Sequence, residues 1–463
     1  MKVEQLYTKC LSEASYIIIS DGEAAVVDPI RESAPYLAIA KEHNASIKYI
    51  LETHFHADFV SGHLELAKQT GATIVYGPNA NPSYDVHVAK DEETFSLGNA
   101  TIQVLHTPGH TLESSSFLLK DEAGNDHAVF TGDTLFVGEV GRPDLAVNQD
   151  ISREDLASML YDSLNTKIKS LSDEVIVYPE HGAGSACGKN IGKENSSTIG
   201  EQKQSNYALQ DMSREQFVAK LTDGLVAPPA YFFEDAKINK QGYKPLDEVF
   251  SANMNGLSLE EVEKAQNKGA LVLDARTPDE FEKGFVKGAL NIGLNGQFAI
   301  WVGTMVDIKR ELIIVAKDIE QVRETVTRLA RIGYENVLGY LEGGFGAWEF
   351  AKKPIDTVDS ISAAEAVKEM KRMSDVTLDV REPGEVEKAH IDGAKVIRLQ
   401  ELLHRHSELD KETTGYLVHC GGGYRSMIAV SLLKQLGFTH LKNIKGGFAA
   451  LEKEHAPIVF GKK

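Results

Sequence analysis

The sequence predicts a protein of mixed α/β and α+β class, in which a layered N-terminal domain is followed by two related α/β domains. Three observations predict it. At ~150 residues per domain, 463 residues allow about three domains. The first two hundred residues or so alternate short apolar strands with polar or Gly-rich turns. The remainder repeats itself after about a hundred residues, the size of a domain rather than of a solenoid repeat.

In chain order, the first domain offers the strands YIIIS, AAVVD, YILET, ATIVYG, ATIQVLHT, HAVFTGD and EVIVYPEH. SREDLASMLYDSLNTKIKSL spaces its apolar residues at i, i+3 and i+4 behind a Ser cap, which predicts an amphipathic helix. Residues 200–255 are polar, contain Pro228-Pro229, and predict a helical arm running into a linker. The resulting boundaries are 1–235 for the first domain, 236–255 for the linker, and 256–355 and 356–463 for the repeated units. The repeat is explicit. Leu273-Asp274-Ala275-Arg276-Thr277-Pro278 recurs as Leu378-Asp379-Val380-Arg381-Glu382-Pro383, and Leu341-Glu342-Gly343-Gly344-Phe345 returns as Ile444-Lys445-Gly446-Gly447-Phe448. Each unit alternates apolar strands (ALVLDAR, ELIIVAK; VTLDVRE, GYLVHC) with helical stretches (EQVRETVTRLARIG; SMIAVSLLKQLG), the pattern of a parallel sheet.

Charge narrows the functions open to the chain. With 49 Lys+Arg against 68 Asp+Glu, a net −19, it repels phosphate backbones and anionic lipid surfaces, so neither nucleic acid nor membrane is expected as a partner. No stretch approaches the ~20 apolar residues of a membrane span. The N-terminus lacks the pattern of a signal peptide, and three scattered cysteines (Cys10, Cys187, Cys420) suit a reducing compartment, so the expected location is cytoplasmic.

Chemistry gathers at strand ends. Strand Ile50-Leu51 runs into Thr53-His54-Phe55-His56-Ala57-Asp58, which sets three potential ligands at alternate positions. His106-Thr107-Pro108-Gly109-His110 follows another strand, Thr131-Gly132-Asp133 ends a third on a carboxylate, and Tyr178-Pro179-Glu180-His181-Gly182 ends a fourth. A sheet delivers such groups to one edge. The set resembles the metallo-β-lactamase superfamily, whose αββα sandwich carries metal at that edge. The dinuclear hydrolases of the family continue the first motif as His-x-His-x-Asp-His, and here the position after Asp58 is Phe59, with His63 four positions further on. A phenyl ring cannot ligate, so a single-metal site is expected. Two His and one carboxylate leave a face of the ion open, which suits non-haem iron and O2.

Within the superfamily the chain resembles the persulfide dioxygenase branch. The resemblance implies one Fe(II) per chain, held by His54, His110 and Asp133, with His56, Asp58 and His181 orienting ligands or bound water. It also implies a low-molecular-weight thiol persulfide and O2 as substrates, with sulfite and thiol released, and a homo-oligomer. Dioxygenases of this branch usually keep the His that is Phe59 here, so the departure counts against a hydrolase more than it argues for iron. Arg142, in Gly141-Arg142-Pro143-Asp144, is a substrate-binding candidate that meets an anionic group on the carrier thiol or else a solvated loop residue. Cys187, in the Gly-rich loop after His181, is either a transient sulfur acceptor or a small space-filling side chain.

In the last unit, Tyr416-Leu417-Val418-His419 runs into Cys420-Gly421-Gly422-Gly423-Tyr424-Arg425-Ser426 and then an apolar helix. Backbone N–H groups freed by three glycines, a helix N-terminus and Arg425 all favour a thiolate or a persulfide anion at Cys420. The loop resembles that of the rhodanese sulfurtransferases, and its span from Cys420 to Arg425 is one residue shorter than in the related phosphatases. The middle unit has Ala316-Lys317-Asp318 after strand Leu312–Val315 and no cysteine, so it is expected to be an inactive rhodanese-like module. The expected whole is a persulfide dioxygenase joined to a rhodanese that passes sulfane sulfur to sulfite, giving thiosulfate in sulfide detoxification. The alternatives are a glyoxalase II-like thioester hydrolase with two metals, usually zinc, and a non-enzymatic sulfide sensor or binding platform.

Overall fold

A computed structural model describes residues 1–147, 149–372 and 375–461. The chain divides into two compact units, one of residues 1–249 with 330–333 and one of residues 250–329 with 334–463. No helix among the described residues is long and apolar enough to cross a membrane.

The first unit is built on two six-stranded sheets. One runs in chain order through β1 (Lys2–Thr8), β2 (Glu13–Ser20), β3 (Glu23–Val27), β4 (Ser46–Glu52), β5 (Thr73–Tyr76) and β6 (His87–Val88). The other holds β7 (Thr94–Leu97), β8 (Ala100–His106), β9 (Ser115–Lys120), β10 (Asp126–Gly132), β11 (Ile176–Pro179) and β12 (Ser197–Thr198), again in neighbouring order. Strand periodicity sorts the apolar side chains between layers. Tyr16 and Ile18 of β2 join Leu51, Phe117 and Phe130 between the sheets, while Ile17 and Ile19 turn to the opposite face. That outer face is covered by α1 (Ala34–Glu42) and α2 (His63–Thr70), through Tyr36, Ala40 and Leu66. On the far side, α3 (Arg153–Ser163), α4 (Ile199–Ser205) and α5 (Arg214–Thr222) bury Leu160, Ile199 and Phe217 against Leu118, Val129 and Val177. The result is the expected αββα sandwich, each large side chain in its core contributing roughly 1.5–3 kcal/mol. The Ser-capped helix is α3: Ser152 Oγ accepts from the Asp155 N–H and the Asp155 carboxylate accepts from the Ser152 N–H. Such a cap is worth about 1 kcal/mol.

The stretch expected as linker is folded. α6 (Tyr231–Gln241) and α7 (Leu246–Asn253) occupy it, with Asp235 and Asn239 fully buried. Its polar composition misleads because its buried side chains include the amides of Asn239 and Asn253 beside Leu246 and Val249.

In the second unit, two five-stranded parallel sheets have the same strand order. The first runs Gly256–Leu257, Val337–Leu341, Leu312–Val315, Leu271–Asp274, Leu290–Asn291; the second runs Asp359–Ile361, Leu441–Ile444, Gly415–His419, Asp375–Asp379, Lys395–Val396. The repeated Asp-x-Arg is structural: Arg276 and Arg381 each grip the buried carboxylate two residues earlier, with Nε–Oδ1 distances of 2.9 Å in both.

Candidate functional site

Each of the six His and Asp candidates of the first domain lies just beyond a strand. His54, His56 and Asp58 follow β4, His110 follows β8, Asp133 follows β10 and His181 follows β11, and all six are at most 5% exposed. The ends of β4 and β10 converge because Gly132 has no side chain: its φ is +49° and a β-carbon there would lie 2.5 Å from Thr53 Oγ1.

Ligand atoms of His54, His110 and Asp133 lie within 4.8 Å of one another. Backbone and side-chain acceptors fix the rings. The Thr53 hydroxyl donates to Asp28 (3.0 Å), so its oxygen accepts from His54 Nδ1 (3.0 Å); His110 Nδ1 donates to the Arg142 carbonyl (2.8 Å). Both rings therefore turn a bare Nε2 inward. Burial, reinforced by the neighbouring His56, holds the His54 pKa well below the usual imidazole value, so it is a neutral ligand. His110 Nε2 faces Asp133 Oδ2 at 3.3 Å, and neither atom has a hydrogen-bond partner. Buried lone pairs facing one another need a cation between them, and this donor set fits a divalent metal.

His56 belongs to an adjoining cluster, its ligand atom lying within 4.8 Å of those of His54 and Glu180. Its Nδ1 lies 2.7 Å from Glu180 Oε1, and its Nε2 lies 3.1 Å from Glu52 Oε2 and 3.2 Å from Asp28 Oδ1. Burial opposes the charged ring, but Glu180 and Asp28 outweigh it and hold its pKa well above the usual value. Phe59 stacks on the same ring, with centroids 4.5 Å apart. His63 opens α2, with Nδ1 3.7 Å from Glu52 Oε1.

Two sequence candidates meet the structure differently. Arg142 is buried and its guanidinium is spent on Asp144 (2.6 and 2.8 Å) and the carbonyls of Ala186 and Val226. With its donors so engaged it is neither a solvated loop residue nor free to meet a substrate anion; it joins the His110 loop to the Cys187 loop, its N–H donating to the Cys187 carbonyl (2.9 Å). Cys187 is 1% exposed, and its sulfur lies within 4.8 Å of ligand atoms of Asp58 and His181. Burial pushes its thiol pKa well up, and the carboxylates of Asp58 and Asp133 add to this.

Sequence reasoning missed four residues. Asp28 and Glu52 sit at the ends of β3 and β4 and carry no motif. Glu180 precedes His181 in a segment already singled out, and only that adjacency signals it. Asn239 of α6 closes the metal loop: its amide donates to the carbonyls of His56 (2.8 Å) and Phe59 (2.7 Å) and accepts from the Ser61 N–H (2.9 Å). Beside the loop, a cavity of about 260 Å³ is lined by Phe55, Thr111, Leu145, Phe232, Phe233 and Lys237.

In the last domain Cys420 is 1% exposed at the end of strand Gly415–His419. The Gly423 N–H donates to its sulfur (3.1 Å), and Ser426 Oγ lies 3.7 Å away. Gly423, at φ +105°, caps helix α8 (Tyr424–Gln435). Arg425 pairs with Glu385 through two bonds of 2.6 and 2.8 Å, so the guanidinium at the rim is held by a carboxylate. Gly447, at φ +57°, lets the Gly-Gly-Phe turn approach: a β-carbon there would lie 2.4 Å from the Cys420 carbonyl oxygen. In the middle domain Gly344 bears the same relation to Ala316, whose carbonyl lies 3.0 Å from the corresponding point. Ala316, with no sulfur, stands where Cys420 stands. Tyr424 of the Cys420 loop donates to the Gly293 carbonyl of the middle domain (2.7 Å).

The metallo-beta-lactamase superfamily profile matches residues 8–181, and the rhodanese-like domain profile matches residues 258–351 and 362–454. A probable hydroxyacylglutathione hydrolase of Schizosaccharomyces pombe is 35% identical over 162 residues, covering 34% of this chain and 59% of that protein. The mitochondrial persulfide dioxygenase of Homo sapiens is 32% identical over 162 residues, with the same coverage of 34% and 59%. The chain thus spans about three-fifths of the length of these curated relatives. The crystal structure of a metallo-beta-lactamase from Staphylococcus aureus is 33% identical, with a TM-score of 0.65 over 73% of this chain and 98% of that one.

Proposed function

Because the chain belongs to the metallo-β-lactamase superfamily and carries two rhodanese-like domains behind that fold, we propose that it is a single-iron persulfide dioxygenase coupled to a thiosulfate-forming sulfurtransferase. The observation that carries this reading is His56. Its ring nitrogens lie 2.7–3.2 Å from the carboxylates of Glu180, Glu52 and Asp28, and a ring set among three carboxylates leaves His54, His110 and Asp133, two imidazoles and one carboxylate, for the first metal position. That leaves coordination positions for two substrates, as non-haem iron enzymes require.

His54, His110 and Asp133 would hold the ion, and Fe(II) there supplies the redox chemistry by which O2 oxidises sulfur. Thr53 and the Arg142 carbonyl keep the two rings in the ligating tautomer. The overall oxidation consumes a thiol persulfide, O2 and water and yields thiol, sulfite and two protons, the outer sulfur being oxidised as O2 is reduced. At Cys420 the sulfur attacks the outer sulfur of a second persulfide, whose S–S bond breaks as the carrier leaves as thiol. Sulfite then takes that sulfur, forming the S–S bond of thiosulfate and restoring Cys420. The Gly423 N–H and the N-terminus of α8 steady negative charge on the sulfur in both steps.

Relatives named hydroxyacylglutathione hydrolase match as large a share of this chain as the persulfide dioxygenase does, so the deciding experiment sets the two chemistries side by side. Iron-loaded protein should consume O2 when given a persulfide and should not hydrolyse a glutathione thioester. Thioester hydrolysis without O2 uptake is the result that overturns the reading.

A further inference from the structure

Glu385 follows the Asp-x-Arg of the last domain, in the short helix Pro383–Lys388, and the fold lays it over the Cys420 loop. The Glu382 N–H donates to Glu385 Oε2 (3.2 Å), a capping bond that fixes the direction of the carboxylate. Glu385 then takes both terminal nitrogens of Arg425, Nη1 to Oε2 and Nη2 to Oε1, in the two-pronged geometry with which a guanidinium grips a carboxylate. The pair lies against the residue beside the sulfur: a β-carbon on Gly421 would come within 3.1 Å of Arg425 Nη2 and 3.3 Å of Glu385 Oε1. Burial opposes the ionised Glu385 carboxyl, but Arg425 outweighs it and holds the pKa below the usual value, so both partners are charged at neutral pH. In the middle domain the counterpart Glu280 accepts instead from the Thr277 N–H (3.0 Å) and hydroxyl (2.8 Å) of its own helix cap. The pairing with a loop arginine is found in the domain that holds the sulfur.

An oxyanion bound beside Cys420 needs the same two-nitrogen edge. We propose that Glu385 sets the specificity of the Cys420 site by competing with oxyanions for Arg425, so that sulfite or thiosulfate engages the guanidinium only by displacing the Glu385 carboxylate. At rest the pair adds no net charge to the rim of the loop, and the cation is offered only while an anion holds it. A competitor already in place raises the concentration at which any oxyanion binds, which is discrimination by exclusion. The Glu385 side chain is 39% exposed, so its carboxylate leaves the guanidinium for water rather than for a dry interior, and the pair is displaceable rather than a permanent lock. Glu385 acts through Arg425 and is a positioning residue. This role rests on the reading of Cys420 as sulfur carrier; the charge beside the thiol is measured without turnover, so a failure of one is seen apart from a failure of the other.

Alkylation of Cys420 reads that charge. The full-length protein is treated in parallel with iodoacetamide, which is neutral, and iodoacetate, which is anionic, and the Cys420 peptide is followed by mass spectrometry apart from those of Cys10 and Cys187. The iodoacetate-to-iodoacetamide rate ratio should rise at least fivefold in Glu385→Gln, whose amide keeps the helix cap but leaves the guanidinium without a counter-charge. Sulfate, an unreactive oxyanion, should then slow iodoacetamide at a concentration at least fivefold lower than in the unmodified protein. Adding Arg425→Gln to Glu385→Gln should return the ratio to the unmodified value. A ratio unchanged in Glu385→Gln, sulfate protection no tighter than before, or a ratio still raised in the double variant overturns the proposal. If Glu385→Gln does not fold, Glu385→Asp decides: its shorter side chain draws the carboxylate back from the guanidinium and should raise the ratio at least twofold, and an unchanged ratio there is equally fatal.

Discussion

At the scale of single residues, the two proposed chemistries rest on side chains that can be removed one at a time. His110 is one of three anchors at the first metal position, and its ring is already oriented by the Arg142 carbonyl. His110→Ala should therefore drop the iron content from about one per chain to near zero and abolish O2 uptake, measured by metal analysis and an oxygen electrode. Two zinc ions per chain, with thioesterase activity and no O2 uptake in the unmodified protein, would contradict the assignment. Cys420→Ser replaces sulfur by a hydroxyl that cannot carry sulfane sulfur at neutral pH. Sulfite should then accumulate where the unmodified protein releases thiosulfate, while O2 uptake per persulfide persists. Arg425→Ala should act in the same direction more mildly, because the Gly423 N–H still meets the sulfur and Glu385 already balances the guanidinium. Thiosulfate formation at the original rate in Cys420→Ser, corrected for direct reaction of sulfite with persulfide, removes Cys420 as the carrier.

At the scale of elements, α6 and the Gly293–Gly296 turn do more than connect. Asn239 reaches from α6 to three backbone groups of the loop that carries His54, His56 and Asp58. Asn239→Ala leaves them unpaired in a buried site, which should cost about 2–3 kcal/mol in urea unfolding and speed iron loss to a chelator. Unchanged stability would mean that water replaces the amide. In the second unit, a β-carbon at Gly296 would lie 2.4 Å from the Tyr424 ring. Gly296→Ala should displace the ring and disturb the Cys420 loop, lowering sulfur transfer severalfold and leaving O2 uptake unchanged. A transfer rate equal to that of the unmodified protein would show that the Tyr424 contact is dispensable.

At the scale of the whole molecule, three domains share one chain but divide the chemistry. The middle domain keeps the buried Asp-Arg pair and the Gly-Gly-Phe turn of its neighbour while presenting Ala316 where the sulfur stands. Lys317, next to it, is exposed. Its replacement by Ala should leave persulfide oxidation and sulfur transfer within experimental error, since an ammonium cannot hold sulfane sulfur. A large loss of transfer in a folded Lys317→Ala protein would assign this domain a chemical role that its geometry does not suggest.

The sequence by itself determined the layered fold, the internal repeat, the strand-end histidines and the cysteine loop, because each is written in local patterns: strand periodicity, turn residues and short spacings. It also placed Ser152 as the cap of α3 and Ala316-Lys317 as the silent counterpart of Cys420. Tertiary structure alone decided what the long-range contacts set. Arg142 reads as a free cation until the fold closes it on Asp144 and two carbonyls, and the polar segment 236–255 reads as linker until Asn239 is buried against the metal loop. Asp28, Glu52 and Glu180 carry no mark of their joint hold on His56, and nothing in the spacing of Asp58, His181 and Cys187 announces that their donor atoms meet. The reason is physical. A buried polar group is satisfied by whichever partner the packed layers bring to it, and Asn239 and His56, for one, stand 183 residues apart in the chain.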